Sequence, residues 1–167
     1  MNYEFNGLPL HILLVHGVVV LLPLAALCTI LTVLWPVARR RLGIVTPIMG
    51  LVQLILVFVA QQAGEWLLVR VGRTALITAH ADQGLALLPW AWGLFGVSVL
   101  AWLWHRFAVG AFLVRRFGKS TARILTVVAV LVALAVCVGA TIDVVVVGEA
   151  GARAIWQGSF SPTPVHS

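Results

Sequence analysis

Residues 8–35 read LPLHILLVHGVVVLLPLAALCTILTVLW, a run without one Lys, Arg, Asp or Glu that stops at Pro36 and the triplet Arg39-Arg40-Arg41. A helix needs about 20 apolar residues to cross the hydrocarbon of a bilayer, and this stretch exceeds that. Three more follow. The second runs from about Ile44 to Val69 and ends at Arg70 and Gly72. The third occupies roughly Thr74 to Trp104, closed by His105-Arg106. The fourth spans roughly Arg123 to Val147 and is released by Gly148. Lipid offers no partner to an unpaired backbone group, and nothing alternates like a barrel strand, so each run reads as a helix.

Composition agrees. Of 167 residues 62% are apolar and 10% charged, with a mean hydropathy of +1.08, against roughly 45–50% and about 25% in soluble domains. This excludes a soluble enzyme, a disordered tail and a nucleic-acid-binding domain, despite a net charge of +6. The expectation is an all-α integral membrane protein: a four-helix transmembrane bundle of up-down topology, one domain over residues 1–157 with a short mobile tail at 158–167. The N-terminus lacks the basic n-region of a signal peptide and carries Glu4, so the first helix should be retained. No internal repeat or heptad seam stands out. Cys28 and Cys137 lie in apolar runs at different depths and read as small buried residues rather than a disulfide.

Orientation follows from the basic residues. The loops after the first and third spans share one side, and that side holds Arg39, Arg40, Arg41, Arg106, Arg115, Arg116, Lys119 and Arg123, eight of the eleven. The positive-inside rule places them in the cytoplasm and both termini outside, in a bacterial plasma membrane. The segment from Arg106 to Arg123 mixes aromatics with cations and should lie along the anionic inner leaflet. All five carboxylates (Glu4, Glu65, Asp82, Asp143, Glu149) and four of the five histidines (His11, His16, His80, His166) fall in the outer half.

Counted inward from the outer helix ends, His16, Glu65, His80 and Asp143 lie on the order of 6–9 Å deep, one from each span. Ionisable groups within a membrane usually face the bundle interior and mark functional sites. Four readings of this layer stand side by side. A b-type haem could be held by His16 and His80 as axial ligands, with His11 as a substitute for His16, and with Gly17 and Gly84 leaving room for a flat macrocycle. Two histidines with Glu65 or Asp143 match a 2-His-1-carboxylate iron set or a zinc set. Carboxylate and imidazole together suit a proton or quinone site. The fourth reading is a set of interhelical hydrogen bonds that set helix register and hold no cofactor.

The opening Asn6-Gly7-Leu8-Pro9-Leu10-His11-Ile12-Leu13-Leu14-Val15-His16 resembles the start of the bacterial membrane-protein family catalogued as domain of unknown function 2231. The similarity extends to four spans, to a histidine before the third (His80-Ala81-Asp82) and to a tail like Gly148 to Trp156. Two positions depart from the family's pattern: Ile12, where a proline often follows the first histidine, and Gly17, where a bulky aromatic often follows the second. Relatives are sometimes joined to redox domains, so the resemblance implies membrane electron transfer and favours haem. The resulting expectation is a non-enzymatic redox or cofactor-binding subunit. Glu65 and Asp143 would hydrogen-bond the ligand rings. Its partners would be the lipid bilayer and separate redox proteins or other membrane subunits, with no nucleic acid. The competing expectation is a structural or assembly subunit without a cofactor.

Overall fold

The computed structural model describes residues 3–159. The element order is β1 (Glu4–Phe5), β2 (Leu8–Pro9), α1 (Leu10–Leu34), α2 (Pro36–Leu42), α3 (Val45–Leu68), α4 (Ala75–Arg106) and α5 (Val109–Trp156). Four of these helices, α1, α3, α4 and α5, are long and apolar enough to cross a membrane. The chain is therefore an all-α, multi-pass bundle. α1 packs on α3 and α5, α4 packs on the same two, and α1 faces α4 across the diagonal. His166 and most of the expected tail lie outside the described residues.

The ends of the helices have local causes. Pro36 cannot continue α1, because its nitrogen carries no hydrogen; it starts α2 instead. Arg39 of α2 folds back, its Nε donating to the Thr32 carbonyl at 3.0 Å and its Nη2 to the Val33 carbonyl at 2.9 Å. A cation thus caps the carbonyl end of α1, where the helix dipole favours it. Partial burial lowers the pKa of that guanidinium, which stays charged all the same. On α4, the Thr74 side chain accepts from the Ile77 amide and caps the helix start.

Two departures from the sequence reading concern α5. Gly148 does not end it: the helix runs on through Gly151 to Trp156. Near the other end Gly118 has φ 83 and ψ 166, a break inside the helix in a region of backbone space open to glycine alone. Residues 109–117 therefore form a separate helix before the span. Arg106, Arg115, Arg116, Lys119 and Arg123 are all exposed there, with Phe107, Phe112 and Phe117 also outward.

The buried positions disclose a seam that hydropathy hides. In α1 they include Val18, Leu22, Ala25, Thr29 and Thr32; in α3 Thr46, Gly50, Gln53, Val57 and Ala60. In α4 they are Leu87, Ala91, Leu94, Ser98 and Ala101, and in the spanning part of α5 they include Ala133, Cys137, Ala140 and Val144. Every helix steps by four, three, four, the a/d spacing of coiled-coil-like bundles. More than half of the seam is small or hydroxyl side chains, with Leu22, Leu87 and Leu94 among the larger ones, while Val20, Leu100 and Ile124 face outward at 64%, 64% and 61% exposure. Lipid is as apolar as leucine, so close backbone approach and interhelical hydrogen bonds select the inward face. Accordingly Ser98 sits where a side chain on Gly50 would be, and the Trp90 ring occupies the place of a side chain on Gly139. Both cysteines are free thiols.

Candidate functional site

Extending each seam by one heptad toward the histidine end gives the site. On α1 it reaches His11, seven residues before Val18; on α4 it reaches His80, seven before Leu87. Both imidazoles enter the bundle and meet edge to face, ring centroids 6.2 Å apart and planes inclined at 66°. His11 Nδ1–H donates to the Ala60 carbonyl on α3 at 2.8 Å. His80 Nδ1–H donates to the Val147 carbonyl on α5 at 3.1 Å. A carbonyl can only accept, so Nδ1 carries the proton in each ring, and in the neutral form Nε2 keeps a lone pair. Among the described residues neither Nε2 has a hydrogen-bond partner.

Glycines make room for the two rings. A side-chain carbon on Gly64 of α3 would lie 3.0 Å from the His11 ring, and one on Gly151 of α5 would lie 3.0 Å from His80 Cε1. Both distances are well inside the ordinary carbon contact of about 3.5–4.0 Å. The glycines singled out from sequence stand elsewhere: a side-chain carbon on Gly17 would meet only Leu56, and one on Gly84 would meet nothing within 4 Å. The β1–β2 hairpin turns at Asn6-Gly7, both with positive φ, the pair that a type I′ turn prefers. It brings Tyr3 against the Trp66 ring on α3, over which the Arg70 guanidinium also lies, 3.8 Å from the ring centroid.

The structure does not bring His16 to His80. The His16 ring is exposed on the outside of α1, and its Nδ1–H donates to the Ile12 carbonyl of its own helix at 2.6 Å. The reason is angular: five residues further along a helix, a side chain is turned by roughly 140° from His11. His11, expected as the substitute, is the histidine that faces His80. Nor do carboxylates orient the rings. Glu65 is exposed, and Asp143 lies one turn deeper than Val147 with its buried Oδ2 unpartnered. Backbone carbonyls of Ala60 and Val147 take the role expected of them.

Among the described residues no group of three or more His, Cys, Asp and Glu side chains could hold a metal ion. The 2-His-1-carboxylate set is therefore not assembled. What the site does offer is two imidazoles from diagonally opposed helices, each held by a backbone carbonyl. Two amides also bridge neighbouring helices. Gln61 Nε2 donates to the Gly84 carbonyl at 2.6 Å, and Gln53 Nε2 to the Ala91 carbonyl at 3.0 Å. Gln53 is fully buried and its Oε1 has no partner. No family model matches the chain, and no curated protein or solved structure is significantly similar to it.

Proposed function

We propose that this chain is a non-enzymatic subunit of a bacterial plasma membrane that holds a redox or metal cofactor near the outer face, on His11 and His80. One observation carries the reading: two seam imidazoles, centroids 6.2 Å apart, each spend Nδ1–H on a backbone carbonyl and leave Nε2 free. Metal-bound histidines are oriented in this way, with the non-ligating nitrogen donating to a carbonyl or carboxylate. The resemblance to the domain-of-unknown-function-2231 family, with its redox-linked relatives, supports the same reading. Electron donors and acceptors would be separate membrane or outer-face proteins.

A second reading has its own support. The two histidine hydrogen bonds join α1 to α3 and α4 to α5, and such bonds contribute roughly 0.6 kcal/mol each, up to about 1.7. A cofactor-free structural or assembly subunit would use them as clasps. The test is purification of the full chain in mild detergent, followed by a visible spectrum and elemental analysis. A chromophore or metal at one per chain, lost in both His11→Ala and His80→Ala, supports a cofactor subunit. Colourless, metal-free protein that co-purifies with other subunits refutes it in favour of the structural reading.

A further inference from the structure

The arginine-rich end of the bundle carries cations with nothing in the chain to pair them. All five carboxylates belong to the half that holds the histidine pair, and Arg153 finds Glu149 there. By contrast Arg40 and Arg41 on α2, and the five cations from Arg106 to Arg123, are exposed. Among the described residues none of them has a hydrogen-bond or ion-pair partner. Arg106 and Arg116 lie over the Phe107 and Phe117 rings, 5.7 and 5.3 Å from the centroids. Arg39, whose side chain is spent on carbonyls of α1, acts electrostatically on His105 at the end of α4. A side-chain carbon on Gly110 would lie 3.7 Å from Trp104 of the same helix end. α2 and residues 109–117 thus meet the foot of α4, and their cations form one collar.

The backbone sets residues 109–117 apart from both spans. Ala108 before them has φ 49 and ψ 43, and Gly118 after them has φ 83 and ψ 166. Alanine rarely adopts the left-handed conformation, because its Cβ crowds the following carbonyl. With a break at each end, this short helix need not continue the line of α4 or of the span that follows. Val109, Gly110 and Leu113 are half-buried against the bundle, while Phe112 and Phe117 are exposed at 53% and 52%. The exposed apolar surface runs on from the collar to the spans, through Trp35, Leu34 and Ile44. The surface beside the cations is therefore continuous with the one that faces the bilayer. Rings set among cations at that level suit a lipid interface, with the apolar body inward and the charge at the phosphates.

We infer that this collar binds the phosphates of anionic phospholipids in the leaflet on that side, which supply the negative charge the chain withholds there. The inference goes beyond the cofactor reading and does not depend on it. Arginine suits the task, since its planar fork of N–H groups matches two oxygens of one phosphodiester. Successive side chains on a helix diverge by about 100°, so Arg115 and Arg116 reach separate headgroups rather than clamp one. Lys119 and Arg123, four residues apart beyond the break, share a helix face and extend the collar along the span. A basic residue beside an anionic leaflet favours it by roughly fivefold at low salt, so several together make a measurable preference.

The test uses the full chain in phosphatidylcholine vesicles, with spin-labelled phosphatidylglycerol or spin-labelled phosphatidylcholine added in trace amounts. Electron paramagnetic resonance reads the fraction of each labelled lipid immobilised at the protein. Wild type should prefer phosphatidylglycerol by about threefold or more at low salt. The preference should vanish at about 1 M salt, where the screening length falls to about 3 Å. Arg115→Gln/Arg116→Gln should lose at least about half of it. Arg70→Gln/Arg73→Gln, which removes as many cations from the opposite end, should lose less. Should the first pair misfold, Arg40→Gln/Arg41→Gln on α2 takes its place. A preference that survives high salt, or equal losses in the two double variants, would overturn the collar. Equal immobilisation of the two lipids by wild type would also overturn it, and leave an acidic partner protein as the occupant of that end.

Discussion

Gly151→Ala tests the histidine device by sterics alone. The added carbon would lie 3.0 Å from His80 Cε1, 3.3 Å from Nδ1 and 3.4 Å from Nε2. Reaching an ordinary contact requires the ring to retreat by about 0.5 Å. The Nδ1–H bond to the Val147 carbonyl is 3.1 Å long, and a retreat of that size takes it to the edge of hydrogen-bond range. The losses are about 0.6–1.7 kcal/mol for the bond and about 0.5–1.5 kcal/mol for pushing the ring off its rotamer. Against them stands the helix preference for Ala over Gly, about 1 kcal/mol at most. Gly84→Ala isolates that last effect, since a side-chain carbon there meets nothing within 4 Å. Gly151→Ala should therefore be less stable than Gly84→Ala by about 1–3 kcal/mol, measured by equilibrium unfolding in mixed micelles. Gly64→Ala should move in the same direction. Its hydrogen bond, at 2.8 Å, has more slack, so the loss should be smaller. If Gly151→Ala equals or exceeds Gly84→Ala in stability, the ring is not wedged between glycine and carbonyl, and the reasoning fails.

Gln53 spends one hydrogen bond and buries one unpartnered oxygen, so the isosteric Gln53→Met should change stability by less than about 1 kcal/mol, while Gln53→Ala should lose about 2 kcal/mol or more by leaving a cavity. A Gln53→Met protein as unstable as Gln53→Ala in the same unfolding assay would show that Oε1 has a partner. Arg39→Ala should cost about 1.5–3 kcal/mol by freeing the Thr32 and Val33 carbonyls, with Arg39→Lys intermediate because it keeps charge and loses the fork; equal stability of the three proteins would refute the cap. A cysteine placed at Arg116 should react with a membrane-impermeant thiol reagent only after the cells are permeabilised, in a background lacking Cys28 and Cys137. Labelling in intact cells would reverse the orientation of the bundle.

Much of the bundle was legible because transfer to lipid acts on averages: long uncharged runs become spans whatever their neighbours, and clustered arginines mark one side. Even so, Gly148 carries the sequence signal of a helix end, yet α5 continues through it to Trp156, since packing against α1 and α4 overrides its weak propensity. The Asn6-Gly7 pair was a visible hairpin signal, overshadowed by the histidines that follow it. The choice between His11 and His16 was also within reach. Only His11 is in phase with the small and hydroxyl residues at Ala25, Thr29 and Thr32, but in so apolar a helix the seam has no hydrophobic contrast to announce it.

Sequence alone determined that this chain has four spans, an arginine-rich end and an end that gathers its carboxylates and histidines, because each is a property of one segment in lipid or water. Tertiary structure decided which imidazoles meet, which glycines yield to them, and that carbonyls of Ala60 and Val147 rather than Glu65 and Asp143 hold them. Those outcomes depend on the rotation and stagger of separate helices, set by close contacts between residues 49 and 67 positions apart.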